Sequence, residues 1–238
     1  MSMNQRLIVA LDCTTMEQVQ EMVAKLGDSV QYYKVGMELY YSVGRQAIQF
    51  LRQQNKEVFL DLKLHDIPNT VARSASVLTH MGATMFNVHA SGGPSMMKAT
   101  AIAVAEAAEN AGIKKPKLIA VTILTSMDEP EWRSLGYNTS VAGQALHLAR
   151  LVKEVGLDGV VASPHEAKAI RKECGPEFLI VTPGIRPVGS ASNDQSRIAT
   201  PGGALRSGAS HLVVGRPITG ATDPKAAALA IIREMEEQ

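Results

Sequence analysis

The chain has 238 residues, of which 45% are hydrophobic and 20% are charged, a composition that excludes a disordered polypeptide. Its 24 Lys and Arg residues against 23 Asp and Glu give a formal net charge of +1, so no overall field favours nucleic acid or an anionic membrane. The two cysteines, Cys13 and Cys174, lie far apart without a C-x-x-C pairing, which argues against a disulfide framework or structural zinc and fits a reducing cytoplasm.

Eight short apolar segments of strand length recur along the chain, and segments with helical periodicity separate them. We predict strands over residues 6–12, 31–37, 57–64, 84–90, 117–124, 158–163, 178–184 and 211–217. We predict helices over residues 15–26, 45–54, 69–80, 95–110, 142–155, 164–172, 202–207 and 224–237. Six glycines stand where helices should stop, at positions that suit a C-terminal cap: Gly27, Gly82, Gly112, Gly156, Gly175 and Gly208.

This alternation predicts the fold class. Eight strand–helix units in 238 residues match the size of a closed (β/α)₈ barrel, the TIM barrel, whereas an open doubly wound sheet more often has about five or six strands. We therefore predict an α/β protein built as a (β/α)₈ barrel. No linker or low-complexity segment divides the chain, so residues 1–238 are expected to form a single domain.

In such a barrel, function lies at the C-terminal ends of the strands and in the loops that follow them. The unusual residues of the sequence, most of them polar, are concentrated at these positions: Asp12, Lys34, Asp61, Lys63, Asp66, Thr125, Ser126, Arg186, Gly215 and Arg216. An isolated buried charge is very costly, so several charges that converge on one end of a barrel indicate a functional site.

The segment FLDLKLHDIPNT, residues 59–70, places charges inside an apolar strand. Side chains alternate across a strand, so Asp61 and Lys63 share one face while the leucines between them share the other. The leucines suit the surrounding helices, which directs the two charges into the lumen, either as a functional pair or as a packing ion pair. Asp66 breaks the alternation, and it either caps the helix that begins near Pro68 or serves the site.

Two segments, VTPGIRP at 181–187 and HLVVGRPI at 211–218, each place Gly and Arg just past a strand. The loops after strands 7 and 8 bind phosphate in many barrels through backbone N–H groups and arginine, so we predict a phosphate site there. Solvated arginines in glycine turns are the alternative. In the polar segment between them, Gln195 either hydrogen-bonds a ligand or faces water.

Two other features leave alternatives open. The loop at 125–140, which holds the sole tryptophan, Trp132, is either a lid or an irregular connection with one packed aromatic. The six histidines show no compact ligand spacing such as H-x-x-x-H, so a metal site is unsupported. Of these, His89 has the position that best suits a site, although packing is the favoured interpretation.

These motifs together resemble the orotidine 5′-phosphate decarboxylase family of the bacterial type. The resemblance runs from end to end of the chain and rests on LIVALD, YYKVGMEL, FLDLKLHDIPNTV, VTILTS, TPGIRP with the following DQ-x-R, and VVGRPI, in the family's order. The DLKLHDIPNT motif is highly specific. The resemblance implies decarboxylation of orotidine 5′-monophosphate to uridine 5′-monophosphate, the last step of de novo pyrimidine nucleotide synthesis, without cofactor or metal.

The same resemblance implies the catalytic roles. Lys63 corresponds to the lysine that delivers a proton to C6 of the pyrimidine as carbon dioxide leaves. Asp61 corresponds to the aspartate beside the substrate carboxylate. Lys34 and Asp12 correspond to polar neighbours that orient this network and hold the ribose.

The partner and the remaining substrate contacts are implied in the same way. Three residues, Asp66, Ile67 and Thr70, match family residues that reach into the partner subunit's site. This match implies a homodimer with shared active sites. It also implies that Asp66 is one of the catalytic residues. The other substrate-binding positions are Thr125 and Ser126 at the pyrimidine, Gln195 between base and phosphate, Arg186, Gly215 and Arg216 at the phosphate, and Pro183 within TPGIRP.

The N-terminal sequence MSMNQRLIVALD lacks a long apolar segment with a cleavage site, and no run of about 18 apolar residues occurs. We therefore expect a cytoplasmic protein that binds neither nucleic acid nor a membrane.

Two rival functions remain. A metal-dependent sugar-phosphate lyase or decarboxylase on a related barrel would share D-x-K-x-x-D after strand 3, and a non-catalytic nucleotide-binding barrel would bind without turnover. The leucine-rich motif and Gln195 argue against the first, and the pairing of Asp61 with Lys63 argues against the second.

Overall fold

The computed structural model describes residues 2–187 and 199–237. Within them, eight parallel strands close into a barrel in the order of the sequence, with β8 paired to β1. The strands are β1 (Leu7–Leu11), β2 (Tyr32–Gly36), β3 (Glu57–Leu64), β4 (Met85–His89), β5 (Lys117–Val121), β6 (Gly159–Val161), β7 (Leu179–Thr182) and β8 (His211–Val214). The predicted (β/α)₈ barrel is therefore confirmed.

Helices surround the barrel. In the same residues they are α1 (Met3–Arg6), α2 (Met16–Leu26), α3 (Met37–Val43), α4 (Gln46–Gln53), α5 (Pro68–His80), α6 (Gly93–Asn110), α7 (Glu129–Ser134), α8 (Val141–Glu154), α9 (Pro164–Cys174), α10 (Pro201–Arg206), α11 (Arg216–Thr219) and α12 (Pro224–Glu236). None of these helices has the length and apolar character that crossing a bilayer requires.

All eight predicted strands and all eight predicted helices are present, the strands shorter than predicted by up to three residues at an end and the helices within two residues. Four short helices, α1, α3, α7 and α11, were not predicted, since four to seven residues are too few for a helical period to show. The six glycines at helix ends all have positive φ, as a C-terminal cap requires.

Two apolar layers hold the barrel together. On β1, Ile8 and Ala10 belong to a small inner cluster that fills the lumen, while Leu7, Val9 and Leu11 belong to the large outer layer between strands and helices. This is the alternation that a closed barrel imposes on every strand. Because side chains fill the lumen, it is a packed core rather than a pore. Each fully buried aliphatic side chain contributes about 1.5–3 kcal/mol of stability relative to an exposed one.

The pairing of β3 with β4 is irregular at the point where the charged residues lie. Phe59 is opposite Met85 and Leu60 is opposite Phe86, but the next pair is Leu64 with Val88. Three residues of β3 therefore lie opposite one residue of β4. Lys63, inside this bulge, has a φ of 53°, a left-handed conformation that costs a non-glycine residue about 1–2 kcal/mol.

Candidate active site

A cavity of about 180 Å³ opens at the barrel mouth, the end formed by the C-terminal ends of the strands. Its polar lining comes from three neighbouring charges on β2 and β3, namely Lys34, Asp61 and Lys63. The rest of the lining is mostly apolar: Phe59, Val121, Ile123, Leu124, Thr125, Val161, Pro183 and Val213. An apolar cavity with a few convergent polar groups is the usual form of a small-molecule site.

Four charged residues of alternating sign form a cluster at this mouth, which we call the charged cluster: Asp12, Lys34, Asp61 and Lys63. The Lys63 Nζ lies 2.8 Å from Asp61 Oδ1, and the Lys34 Nζ lies 3.7 Å from Asp61 Oδ2. The Lys34 Nζ also donates to Asp12 Oδ1 over 3.1 Å. The predicted convergence of these residues is confirmed, and the period-2 argument holds for β3, because Leu60, Leu62 and Leu64 pack into the outer layer.

Asp61 is the centre of the charged cluster. Burial alone raises the pKa of its carboxyl, but the charges of Lys34 and Lys63, together with hydrogen bonds from Lys63 and Asn87, lower that pKa below its ordinary value. Asp61 is therefore an anion at neutral pH, held between two ammonium groups. A buried charge of this kind needs such partners, because its desolvation is otherwise uncompensated.

Asn87 on β4 is a polar residue of the mouth that we did not predict from the sequence. It is 1% exposed, its Nδ2 donates to Asp61 Oδ1 over 2.7 Å, and its Oδ1 accepts from the Lys63 backbone N–H over 2.8 Å. The available signal was an amide inside the otherwise apolar strand MFNVH. Its partners depend on the pairing register of two strands, which the spacing of residues does not reveal.

Gly36, at the end of β2, leaves room for the Lys34 ammonium. A Cβ at this position would lie 2.7 Å from the Lys34 Nζ, closer than real Cβ atoms approach. The backbone here, with φ of −90°, is one that any residue adopts, so the requirement for glycine is one of space. At Gly215, a Cβ would lie 3.3 Å from Asp12 Oδ2, which places the end of β8 against the first residue of the charged cluster.

The two predicted phosphate-site arginines lie near each other. Arg186 is 7% exposed and its Nη1 donates to the Ile185 carbonyl over 2.9 Å. Burial lowers the pKa of Arg186, and the charge of Arg216 lowers it further. The two guanidinium groups repel each other, and an anion bound by both would relieve that repulsion. The interpretation as solvated arginines does not fit Arg186, which is buried, but it fits Arg216, which is exposed. Gln195 lies outside the described residues.

The segment from Asp66 to Thr70, next to the mouth, is exposed, and the Ile67 side chain is 66% exposed. Asp66 Oδ1 accepts from the Ile67 N–H over 2.7 Å. The interpretation of Asp66 as the cap of α5 is wrong, because Ile67 is the N-cap residue of that helix and no side chain caps it. Pro68 does occupy the first turn, as predicted.

The loop after β5 contains ordered structure. Thr125 lines the cavity and Ser126 follows it on the exposed surface. Trp132, on α7, is 7% exposed, its Nε1 donates to the Thr139 carbonyl over 2.9 Å, and its ring stacks on Tyr137 at a centroid distance of 3.9 Å. These contacts favour a fixed connection around one packed aromatic over a lid.

His89 lies beside the charged cluster and packs against another histidine. Its ring centroid is 5.3 Å from that of His65. Burial lowers the pKa of His89, and the neighbouring His65 and Lys63 lower it further. The ring contact supports the packing role. Among the described residues, no group of three or more His, Cys, Asp and Glu side chains is arranged to hold a metal ion.

Fold and site together define a (β/α)₈ barrel with a charged small-molecule site at its mouth. The model of the orotidine 5′-phosphate decarboxylase / HUMPS family matches residues 5–231, and the chain belongs to that family. The chain is 49% identical over 232 residues to an orotidine 5′-phosphate decarboxylase from Moorella thermoacetica, covering 97% of this chain and 92% of that one. It is 47% identical over 242 residues to one from Syntrophomonas wolfei, covering all of both.

A solved structure agrees with the sequence relatives. The crystal structure of orotidine 5′-phosphate decarboxylase from Lactobacillus acidophilus superimposes with a TM-score of 0.86 at 45% identity, covering 97% of this chain and 99% of that one. The family predicted from the motifs is confirmed by these comparisons.

Proposed function

We propose that the protein decarboxylates orotidine 5′-monophosphate to uridine 5′-monophosphate, without cofactor or metal, in de novo pyrimidine nucleotide synthesis. The observation that carries the proposal is the Lys63 ammonium, held 2.8 Å from Asp61 in a mostly apolar cavity of a chain that belongs to this family. Relatives that cover the whole chain are named for this activity.

The reaction breaks the bond between C6 of the pyrimidine and its carboxylate carbon. The bonding electron pair stays on C6 in an in-plane orbital that the ring π-system cannot delocalise, and carbon dioxide departs. The Lys63 ammonium beside C6 stabilises this developing negative charge, then transfers a proton to C6 and becomes a neutral amine. The amine regains its proton from solvent, so atoms and charge balance over one turnover.

Asp61 holds the Lys63 ammonium protonated and aimed at C6. Its contacts support this role, because the carboxylate is nearly buried and its Oδ1 accepts from Lys63 Nζ. When substrate binds, the substrate carboxylate lies near Asp61, and repulsion between the two anions is relieved as carbon dioxide leaves. Lys34 and Asp12 complete the network and contact the ribose.

Binding energy comes from the phosphate. Arg186 and Arg216 supply positive charge at the loops after β7 and β8, with Gly215 and Gln195 completing the contacts, while Thr125, Ser126 and Pro183 bound the base. Their distance from C6 means that phosphate binding contributes to rate by fixing the substrate over Lys63. A substrate without its phosphate should therefore lose catalytic rate as well as affinity.

The active unit is a homodimer in which Asp66, Ile67 and Thr70 of one subunit complete the site of the other. The support is their exposure beside the mouth, with the Ile67 side chain two-thirds exposed. A single exposed apolar side chain is common on a monomer, so the proposal rests chiefly on the correspondence of these three residues to family residues that reach into the partner's site.

The chain forms one domain that works in the cytoplasm. A single domain is supported by the barrel closure from β1 to β8 and by the packing of α12 against α2 and α10. Cytoplasmic location is supported by the two cysteines, both of which are free. Neither nucleic acid nor a membrane is proposed as a partner.

The test is an assay in chelator. Purified protein is incubated with orotidine 5′-monophosphate in excess EDTA, and the loss of orotate absorbance is followed. We expect turnover that added magnesium does not increase. Activity that disappears in EDTA and returns with magnesium would identify the metal-dependent rival, and tight nucleotide binding without turnover would identify the non-catalytic one.

The matched control is Lys63→Ala in the same assay. It should lower the rate by at least ~1,000-fold, because both the stabilising charge and the proton donor are lost. Binding of uridine 5′-monophosphate should remain measurable, since the phosphate contacts are intact. Near-normal turnover of this variant would remove Lys63 from the mechanism.

A further inference from the structure

Asn87 lies in the gap where the pairing of β3 with β4 is interrupted. Between the pairs Leu60 with Phe86 and Leu64 with Val88, it is the one residue of β4 opposite three residues of β3. Its side chain enters this gap and reaches both strand positions that carry the charges. One end of the amide contacts the Asp61 carboxylate, and the other contacts the Lys63 backbone.

The chemistry of the two partners fixes the orientation of this amide. The Lys63 backbone N–H is only a donor, so it requires the Asn87 oxygen. The Asp61 carboxylate, ionised between two lysines, is only an acceptor, so it requires the Asn87 nitrogen. A side chain of this length with one acceptor and one donor is needed, and asparagine is the residue that provides it.

Other residue types would fail in different ways. Alanine or leucine would leave the Lys63 N–H and one Asp61 lone pair without these partners in a nearly buried place. Aspartate would keep the bond from Lys63 but would place a second carboxylate against Asp61. Because two carboxylates this close repel each other, the pair would bind one proton at a higher pH than a single aspartate does.

The left-handed backbone of Lys63 needs an external constraint. With φ at 53°, the residue is in a conformation that costs about 1–2 kcal/mol and persists only where surrounding contacts hold it. The hydrogen bond from its N–H to Asn87 is such a contact. The backbone geometry determines where the side chain leaves the strand, and hence where the Nζ lies.

We infer that Asn87 is a positioning residue: by bonding Asp61 and the Lys63 backbone at once, it fixes the catalytic ammonium relative to the reacting carbon. The inference rests on the proposed function and extends it to a residue that does not contact substrate. Asn87 acts through Lys63, so its loss should affect the chemical step far more than substrate binding.

The first test compares Asn87→Ala with the wild type, using steady-state kinetics with orotidine 5′-monophosphate. We expect kcat to fall by about 100-fold while KM changes by less than about threefold, because misplacement of a catalytic group is costly and the phosphate contacts are untouched. The control is Met85→Leu, two residues earlier on the same buried face of β4 and in the lumen cluster. Its kcat should match that of the wild type. A kcat for Asn87→Ala within about threefold of the wild type would overturn the inference.

The second test uses Asn87→Asp, which is isosteric and serves even if the alanine variant does not fold. The ratio of its kcat to that of the wild type should rise at least about tenfold as the pH falls from about 9 to about 6, because the paired carboxylates take up one proton and the protonated acid then donates to Asp61 as the amide did. Asp12, Lys34, Lys63, His65 and His89 also face this region and are present in both proteins, so the wild-type profile over the same pH range is the reference. A ratio that does not change with pH would overturn the inference.

A third measurement is independent of turnover. Reductive methylation followed by peptide mass spectrometry gives the reaction rate of the Lys63 amine, with the exposed Lys25 as internal reference. In Asn87→Ala and Asn87→Asp, Lys63 should react at a rate at least about threefold different from that in the wild type, because its constraint has changed. An unchanged rate would overturn the inference. Absence of wild-type turnover in EDTA would overturn only the proposed function.

Discussion

Asp61 is the residue on which the charged cluster depends. Its two oxygens contact different lysines, so each ammonium is held through the same carboxylate. Removing one partner of a buried ion pair typically costs about 3–5 kcal/mol, because a charge stays buried without compensation. The positions of Lys34 and Lys63 are therefore coupled, and a change at one lysine should be felt at the other.

Gly36→Ala is expected to disturb this coupling by steric contact alone. The new Cβ would come within 2.7 Å of the Lys34 Nζ, so the ammonium must shift from its present place between Asp12 and Asp61. We expect kcat to fall by between about tenfold and 100-fold, with little change in the free energy of unfolding. Steady-state kinetics and urea unfolding measure the two effects.

Gly112→Ala is the matched control for this substitution. Gly112 has a φ of 61° and no atom within 4 Å of an added Cβ, so its replacement strains the backbone without steric contact. It should lower the free energy of unfolding by about 1 kcal/mol or more and leave kcat unchanged. If Gly36→Ala lowered stability and left kcat unchanged, as Gly112→Ala should, then Gly36 would serve the backbone conformation and not the site.

At the scale of single elements, β3 shows what the sequence predicts and what it does not. The faces of Asp61, Lys63 and the leucines follow from the two-residue period, because that period is a local property of any strand. The bulge and the left-handed Lys63 do not follow from it. They depend on which residues of β4 lie opposite, and this is decided by the closure of the whole barrel.

The helices show the same division. Long helices such as α6 were predictable from their apolar period and end glycines, whereas α3 and α11 are too short to produce a period. Asp66 illustrates the limit for function. Its broken alternation placed it in a turn, but the structure was needed to reject a capping role.

The short helix α7 is expected to depend on Trp132. Trp132→Ala should lower the free energy of unfolding by about 3–4 kcal/mol through the loss of a buried ring, and Trp132→Phe by about 1 kcal/mol through the loss of the hydrogen bond to the Thr139 carbonyl. Since Trp132 is the sole tryptophan, urea unfolding should be followed by circular dichroism. Equal stability of the two variants would show that the ring packing is unimportant.

At the scale of the whole molecule, the proposed dimer can be tested by complementation. Asp66→Asn and Lys63→Ala subunits are co-expressed with different affinity tags, and the heterodimer is purified through both tags. If Asp66 serves the partner's site, each heterodimer has one intact site and should regain about half of the wild-type activity. The two variant homodimers are the controls. A heterodimer as inactive as both homodimers would mean that Asp66 acts within its own chain.

The stability of the whole barrel should depend on pH through His211, at the start of β8. Burial lowers the pKa of this histidine to about 4, helped by the charge of Arg6. The folded-state pKa is below the ordinary value of about 6.5. The stability that the neutral His211 side chain contributes is therefore fully present above about pH 6.5, and it is lost as the pH falls toward about 4.

His211→Gln should remove this dependence. The wild type is expected to lose about 3 kcal/mol of unfolding free energy from this group between about pH 7 and about pH 4, and the variant should lose correspondingly less. Urea unfolding across this range measures the difference. His165→Gln, at an exposed position on α9, is the control and should behave like the wild type. Parallel curves for all three proteins would assign acid sensitivity to other groups.

The pairing of β8 with β1 joins the two ends of the candidate site. The charged cluster and Asn87 come from β1 to β4, whereas Arg186 and Arg216 follow β7 and β8. Their junction is the seam where Gly215 lies against Asp12. During synthesis, the lysines and carboxylates therefore emerge well before the arginines that would hold the phosphate. Because the complete site needs both groups of residues, turnover should appear in refolding only after β8 has paired with β1, so that catalytic activity reports on completion of the barrel.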